Sequence, residues 1–104
     1  MGQFTLYENP NKDSKETYPF FVNIQNELLD SLNTRLVIPL VPSKLLSENI
    51  TRLCPETQVQ DKPFILLTHQ ITNVPVSALK QPCGSLAHLR SEIISALDFL
   101  VTGI

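Results

Sequence analysis

The sequence contains only three glycines and two cysteines among its 104 residues. Three glycines are too few for a glycine-rich loop that cradles phosphates. Cys54 and Cys83 lack the spacing of a zinc site or a redox motif, so we expect reduced thiols in a cytoplasmic protein. No other group of His, Cys, Asp or Glu has metal-ligand spacing. The sequence therefore predicts a protein without a metal or another cofactor.

Basic clusters and long apolar runs are also missing. The eight Lys and Arg residues are scattered and the net charge is −2, whereas binding to phosphates needs several basic groups acting together. Direct binding to nucleic acid is therefore disfavoured. No apolar run approaches the ~18 residues of a membrane span. Residues 1–5 do not have the pattern of a signal peptide, so we expect neither secretion nor membrane insertion.

What the sequence does have is a moderate apolar content with few charges. Hydrophobic residues amount to 42% and charged residues to 17%, against about 25% charged in an average soluble domain. A chain of this length fits a single domain over residues 1–104 with one modest core. The low charge favours a surface that is buried against another molecule.

Short β-type segments occupy most of the chain. Asn33–Leu40 carries the strongest strand signal, because its β-branched residues are bounded by turn formers and prolines. We expect pairing to stop at Pro39 and Pro42. We expect Pro19 at the start of its strand or on an edge, and Pro75 on an edge. The other predicted strands are Phe4–Tyr7, Tyr18–Ile24, Gln58–Val59, Phe64–Thr68 and Thr72–Val76. Together they predict a mainly β fold, a partly closed barrel.

The pattern changes to a helical one after Gly84. Ser85 is a candidate N-cap and Gly103 a candidate C-cap. Five apolar residues between these positions have helical spacing, namely Leu86, Leu89, Ile93, Leu97 and Leu100. Val101 and Ile104 lie outside this stripe, so the helix is expected either to finish the core or to present an apolar tip to another protein.

Candidates for catalysis are weak. His69 and His88 are the only histidines, and a general acid–base pair that cleaves RNA is one interpretation of them. A structural or surface role is favoured, because residue type alone does not establish catalytic geometry. Cys54 lacks an activating neighbour beyond Arg52. We assign no catalytic residue.

Several segments, taken in order, resemble the CcdB toxins of bacterial toxin–antitoxin pairs. Thr34–Leu40 (TRLVIPL), Val74–Ser77 (VPVS) and the terminal Gly103–Ile104 form a specific combination. Further matching stretches are Gln3–Tyr7, Phe21–Gln25 and Leu45–Ser47. The resemblance implies an SH3-like, partly closed barrel of antiparallel strands with one long C-terminal helix. It also implies a homodimer that is not an enzyme.

The resemblance further implies a target, the A subunit of DNA gyrase. Members of the family insert the C-terminal end of the helix into the gyrase A dimer and trap the enzyme on cleaved DNA. Carried over position by position, the implied gyrase contacts are Leu28, Leu29, Asp98, Val101, Thr102, Gly103 and Ile104. The family pattern has a tryptophan where this chain has Thr102, and tryptophan is a typical hot-spot residue.

The second implied partner is a cognate CcdA-like antitoxin, whose disordered C-terminal segment orders on the toxin. The implied contact residues are Asn9, Asn11, Lys12 and Lys44. The resemblance also implies that the toxin binds operator DNA only together with the antitoxin. The complex of the two then autoregulates transcription. Two alternatives stay open: an mRNA-cleaving toxin of the same fold, and a degenerate relative that binds antitoxin without poisoning gyrase.

Overall fold

The computed structural model describes residues 2–46 and 52–103. This part of the chain contains seven strands: β1 Thr5–Glu8, β2 Phe20–Asn23, β3 Thr34–Pro42, β4 Glu56–Val59, β5 Lys62–Leu66, β6 Thr72–Pro75 and β7 Pro82–Ser85. One helix follows, α1 Arg90–Thr102. Five 3₁₀ turns connect these elements: Glu27–Leu29, Ser43–Leu45, Thr68–Gln70, Val76–Ala78 and Ala87–Leu89.

The strands form one curled, antiparallel half-barrel sheet, which confirms the predicted mainly β fold class. Its strand order is β4-β5-β3-β2-β1-β7. Strand β3 is long enough to pair with two strands on the side away from β2. Its C-terminal part pairs with β5, and its N-terminal part pairs with β6. Pro75 ends β6, which pairs only with β3, so the predicted edge position of this proline is confirmed.

Two local expectations are wrong, and one strand was not predicted. Pairing of β3 does not stop at Pro39, which lies opposite Phe21 and whose carbonyl accepts a hydrogen bond from the amide of Leu67. A proline lacks the donor but keeps the acceptor, so a sheet position that uses only the acceptor tolerates it. Residues 82–85, for which the sequence predicted no element, form strand β7, because β1 offers them a pairing edge. The α-helix begins at Arg90, and the hydroxyl of Ser85 caps only the preceding 3₁₀ turn through the amide of Ala87.

The core lies between the concave face of the sheet and α1. Ile93 and Ala96 are the fully buried residues of the helix, and Leu89, Ile94 and Leu97 pack around them. Alternate residues of the strands point into this core, as the period of two requires. The opposite face of the sheet is covered as well, by smaller clusters around Val41 and Val37. The helix therefore has one face committed to the core.

The two ends of β3 carry different loops. The turn Glu27–Leu29 precedes the Thr34 end. At the Pro42 end lie the loop that follows Glu8 and the turn Ser43–Leu45, because Glu8 pairs with Phe20 and Phe20 pairs with Leu40. Nine residues of extended strand separate these ends by roughly 27 Å. The sheet therefore holds two loop regions well apart.

None of the helices in the described residues is both long and apolar enough to span a membrane.

The phenol of Tyr7 makes the free energy of unfolding fall at alkaline pH. Burial raises the pKa of its phenol above the ordinary 10.0, while nearby Arg35 opposes this and Asp30 adds to it. The folded phenol holds its proton more tightly than the unfolded one. Its contribution to stability is therefore complete below pH 10.0 and is lost as the pH rises through the folded pKa.

We expect Tyr7→Phe to flatten the fall of the unfolding free energy above about pH 10. Urea unfolding at a series of pH values measures this. Tyr18→Phe is the control, because it removes another phenol, from the loop that precedes β2. An unchanged alkaline slope in Tyr7→Phe would contradict the assignment.

Candidate interaction surfaces

The C-terminal end of α1 projects apolar surface. Val101 is 79% exposed, and Leu100 and Thr102 are exposed beside it. Gly103 adopts the left-handed conformation with φ 76°, and its amide donates to the carbonyl of Phe99 at 2.9 Å, which confirms the predicted cap. The helix therefore ends in a defined conformation.

One polar group at this end, the hydroxyl of Thr102, is already engaged within the helix. The hydroxyl of Thr102 donates to the carbonyl of Asp98 at 2.7 Å. The guanidinium of Arg52 lies 4.5 Å from the centre of the Phe99 ring, a cation–π distance. This contact ties Arg52, which precedes β4, to the last turns of the helix. Ile104, the remaining predicted contact residue at this end, lies outside the described residues.

A second apolar surface lies on the loop between β2 and β3. We call it the leucine turn and define it by Leu28, Leu29 and Leu32, which are 88%, 49% and 50% exposed. The turn begins at Asn26, whose side chain accepts a hydrogen bond from the amide of Leu28 at 2.9 Å. Three large apolar side chains on one short loop are an unusual exposure for a surface without a partner.

The helix end and the leucine turn are not joined directly. The helix packs against the turns Thr68–Gln70 and Ala87–Leu89, and Arg52 lies on its last turns. Within residues 2–46 and 52–103, no hydrogen bond, ion pair or ring contact connects it to Leu28 or Leu29. The predicted gyrase contacts therefore fall on two separate surfaces of one chain.

A third candidate surface is the groove at the Pro42 end of the sheet. Its volume is about 320 Å³, and Pro42, Pro63 and Phe64 form its apolar lining. Lys44 and Lys62 border it, so the groove combines an apolar lining with two positive charges. Lys62 reaches this place because β5 pairs with β3, with Phe64 opposite Pro42. Such a groove suits an extended peptide with apolar and acidic side chains.

The loop after β1 contains the other predicted antitoxin contacts. Asn11 and Lys12 are exposed, whereas Asn9 is only 1% exposed. The Asn9 side chain donates to the carbonyl of Tyr18 at 2.8 Å and to the hydroxyl of Ser14 at 3.0 Å, and it accepts from the amide of Asn11 at 2.9 Å. Asn9 therefore holds the loop closed, and its exposed neighbours form the accessible surface.

The comparison with protein families places this architecture in a known family. The family described as CcdB protein matches residues 3–103. The chain belongs to the CcdB family. Since the match covers nearly all of the chain, it includes the leucine turn, the lysine-bordered groove and the helix end. The CcdB family is a family of toxins, so toxin–antitoxin partners follow in general terms.

No hydrogen bond joins the two histidines within the described residues of this CcdB chain. His69 Nδ1 lies 3.7 Å from the sulfur of Cys54, and His88 is exposed in the turn that precedes α1. Burial raises the pKa of the Cys54 thiol, which keeps the sulfur protonated and a poor nucleophile. Among the residues that the structure describes, no group of three His, Cys, Asp or Glu side chains could hold a metal ion.

Sequence reasoning did not identify Leu32, Lys62, Gln25 or Arg35 as parts of these surfaces. The position of Lys62 beside Lys44 requires the pairing of β3 with β5, which the sequence pattern did not predict. Arg35 did carry a signal in the sequence, since it is a charged residue in a mainly apolar strand. The structure shows that it is 4% exposed.

Asn9 provides a test of the loop at the Pro42 end. We expect Asn9→Ala to lower the free energy of unfolding by about 2 kcal/mol, because it removes a buried side chain with three hydrogen bonds. Lys12→Ala, at an exposed position of the same loop, is expected to change it by less than about 0.5 kcal/mol. Urea unfolding measures both. Equal effects of the two substitutions would show that Asn9 does not hold the loop.

Proposed function

We propose that this CcdB family member is the toxin of a type II toxin–antitoxin module, which binds the gyrase A subunit and traps gyrase on cleaved DNA. The observation that carries the proposal is the family match over residues 3–103. The helix end supports it, because Val101 is exposed and the left-handed Gly103 terminates the helix in a fixed geometry. A short apolar projection of this kind fits a concave site on a larger partner.

Thr102 stands where the family pattern has a tryptophan, so a typical hot-spot side chain is missing from the proposed gyrase contact. Thr102 contributes much less apolar area than a tryptophan, and its hydroxyl is engaged by the carbonyl of Asp98. The leucine turn adds apolar surface, with Leu28 at 88% exposure. In our proposal Val101 and the leucine turn supply contact area that Thr102 does not.

The proposed gyrase contact also favours a homodimer. One chain presents the helix end and the leucine turn as separate surfaces, whereas a twofold axis brings a second copy of each into the assembly. Two helix ends on one axis match the twofold symmetry of a gyrase A dimer. We propose that this symmetric arrangement is the gyrase-binding form.

The antitoxin occupies the other end of the sheet in this proposal. Lys44 and Lys62 border an apolar groove there, and Asn11 and Lys12 lie on the loop that Asn9 holds at the same end. An acidic segment of the antitoxin, disordered alone, gains charge pairs at the two lysines and buries apolar side chains between them.

Removal of Gly103 and Ile104 tests the gyrase proposal. With purified gyrase, ATP and supercoiled plasmid, we expect the intact chain to produce linear DNA and the shortened chain to produce at least about tenfold less. A loss of about 1.4 kcal/mol of binding free energy is enough for this difference. Circular dichroism of both chains controls for folding.

Each other outcome has a defined meaning. Linear DNA from both chains would show that the helix end is not the contact. No linear DNA from either chain, together with intact antitoxin binding, would identify a relative that has lost gyrase poisoning. Cleavage of RNA by the purified chain that is lost in His69→Ala or His88→Ala would establish the mRNA-cleaving alternative.

The antitoxin proposal predicts a charge-specific effect at the groove. We expect Lys62→Glu to weaken binding of the cognate antitoxin about tenfold, because it reverses one of the two charges beside the apolar lining. Lys80→Glu makes the same charge change at an exposed position before β7 and serves as the matched control. Isothermal titration calorimetry measures both affinities. Equal weakening by the two variants would indicate only a general charge effect and would contradict the assignment of the groove.

A further inference from the structure

The loop that carries the leucine turn has an inverted distribution of polar and apolar side chains. Gln25 and Arg35, at its two ends, are 7% and 4% exposed. Leu28, the most exposed of its large hydrophobic residues, is 88% exposed. Folded proteins normally bury leucine and expose arginine, so this arrangement needs a specific cause.

Gln25 satisfies the loop backbone from the inside. Its amide nitrogen donates to the carbonyls of Leu29 at 3.1 Å and Thr34 at 3.2 Å. Its amide oxygen accepts from the amide of Leu36 at 3.0 Å. One buried side chain therefore joins the leucine turn to the first residues of β3.

Arg35 does the same from the other end of the loop. Its guanidinium donates to the carbonyls of Leu32 at 2.7 Å, Thr34 at 3.0 Å and Asp30 at 3.0 Å. Its Nε also lies 3.6 Å from a carboxylate oxygen of Asp30, which compensates the buried charge. The planar fork of arginine is needed for this pattern, since lysine has only one nitrogen.

These contacts fix the backbone on both sides of the leucine turn. Buried donors occupy the carbonyls of Leu29, Asp30, Leu32 and Thr34, so polar side chains fill the inside of the loop and leave its leucines outside. A loop held in this way loses little conformational entropy when another protein covers it. The arrangement stabilises one presentation of three apolar side chains.

We propose that Gln25 and Arg35 are positioning residues that hold the leucine turn in the conformation in which the gyrase A subunit receives it, with Leu32 as a third contact beside Leu28 and Leu29. This inference rests on the proposed function, because gyrase is the partner that the turn is argued to meet. It assigns a role to two buried polar residues and one exposed leucine that the family resemblance did not identify.

Arg35→Lys is the principal test, since it keeps the positive charge and removes the planar fork. We expect the amides of Leu29 and Leu32 to exchange with solvent about tenfold faster, because the loop then opens more often. We expect the dissociation constant for the gyrase A subunit to rise about tenfold. Hydrogen exchange followed by NMR and surface plasmon resonance measure the two effects.

Two further variants separate positioning from general stability. Val59→Ala removes buried volume from β4, at the Pro42 end of the sheet, and lowers the unfolding temperature while leaving the leucine turn intact. We expect its gyrase affinity and its Leu29 and Leu32 exchange rates to stay within about twofold of the unchanged chain. Leu32→Ser removes an exposed contact, and we expect an unchanged unfolding temperature with about tenfold weaker gyrase binding.

Each result bears on a different part of the inference. Unchanged exchange of the turn amides in Arg35→Lys, or gyrase binding no weaker than in Val59→Ala, would overturn the positioning role. Full gyrase binding by Leu32→Ser would remove Leu32 from the contact. If the unchanged chain does not bind the gyrase A subunit, the proposed function fails and the partner is wrong, and amide exchange then decides separately whether Arg35 holds the turn.

Discussion

The pairing of β3 with three other strands is the constraint on which the rest of the structure depends. This strand lies between β2 on one side and β5 with β6 on the other, and its residues from Val37 to Val41 are all buried. Burial on both faces explains why the segment is the most apolar of the chain. Every loop that forms a candidate surface is anchored to one end of β3 or to a strand that pairs with it.

The length of β3 separates the surfaces. The leucine turn lies before its first residue and the lysine-bordered groove beyond its last. The two partners proposed for this chain would therefore meet different parts of it. The helix contributes a third surface, since its buried residues Ile93 and Ala96 dock it on the sheet while its last turn stays exposed. The same helix stabilises the core and presents an exposed apolar end.

Much of the fold and part of the candidate site were predictable from the sequence. Residues 34–40, the edge position of Pro75 and the cap at Gly103 were correctly assigned, because β-branching, missing donors and glycine conformation are local properties. Strand β7 was not predicted, since Pro82–Ser85 has little strand propensity and pairs only because β1 has a free edge. Lys62 and Arg35 were missed because their roles depend on which strands and carbonyls lie beside them.

The sequence by itself determined that this protein has a β-rich fold, a capped C-terminal helix and an apolar chain end, because each follows from the pattern of neighbouring residues. Its resemblance to the CcdB family, confirmed over residues 3–103, came from short motifs in the right order. Only the tertiary structure decided that Arg35 is buried while Leu28 is exposed. Hydropathy predicts the opposite for both. The carbonyls that converge on the guanidinium, together with the nearby Asp30 carboxylate, make the arginine favourable inside.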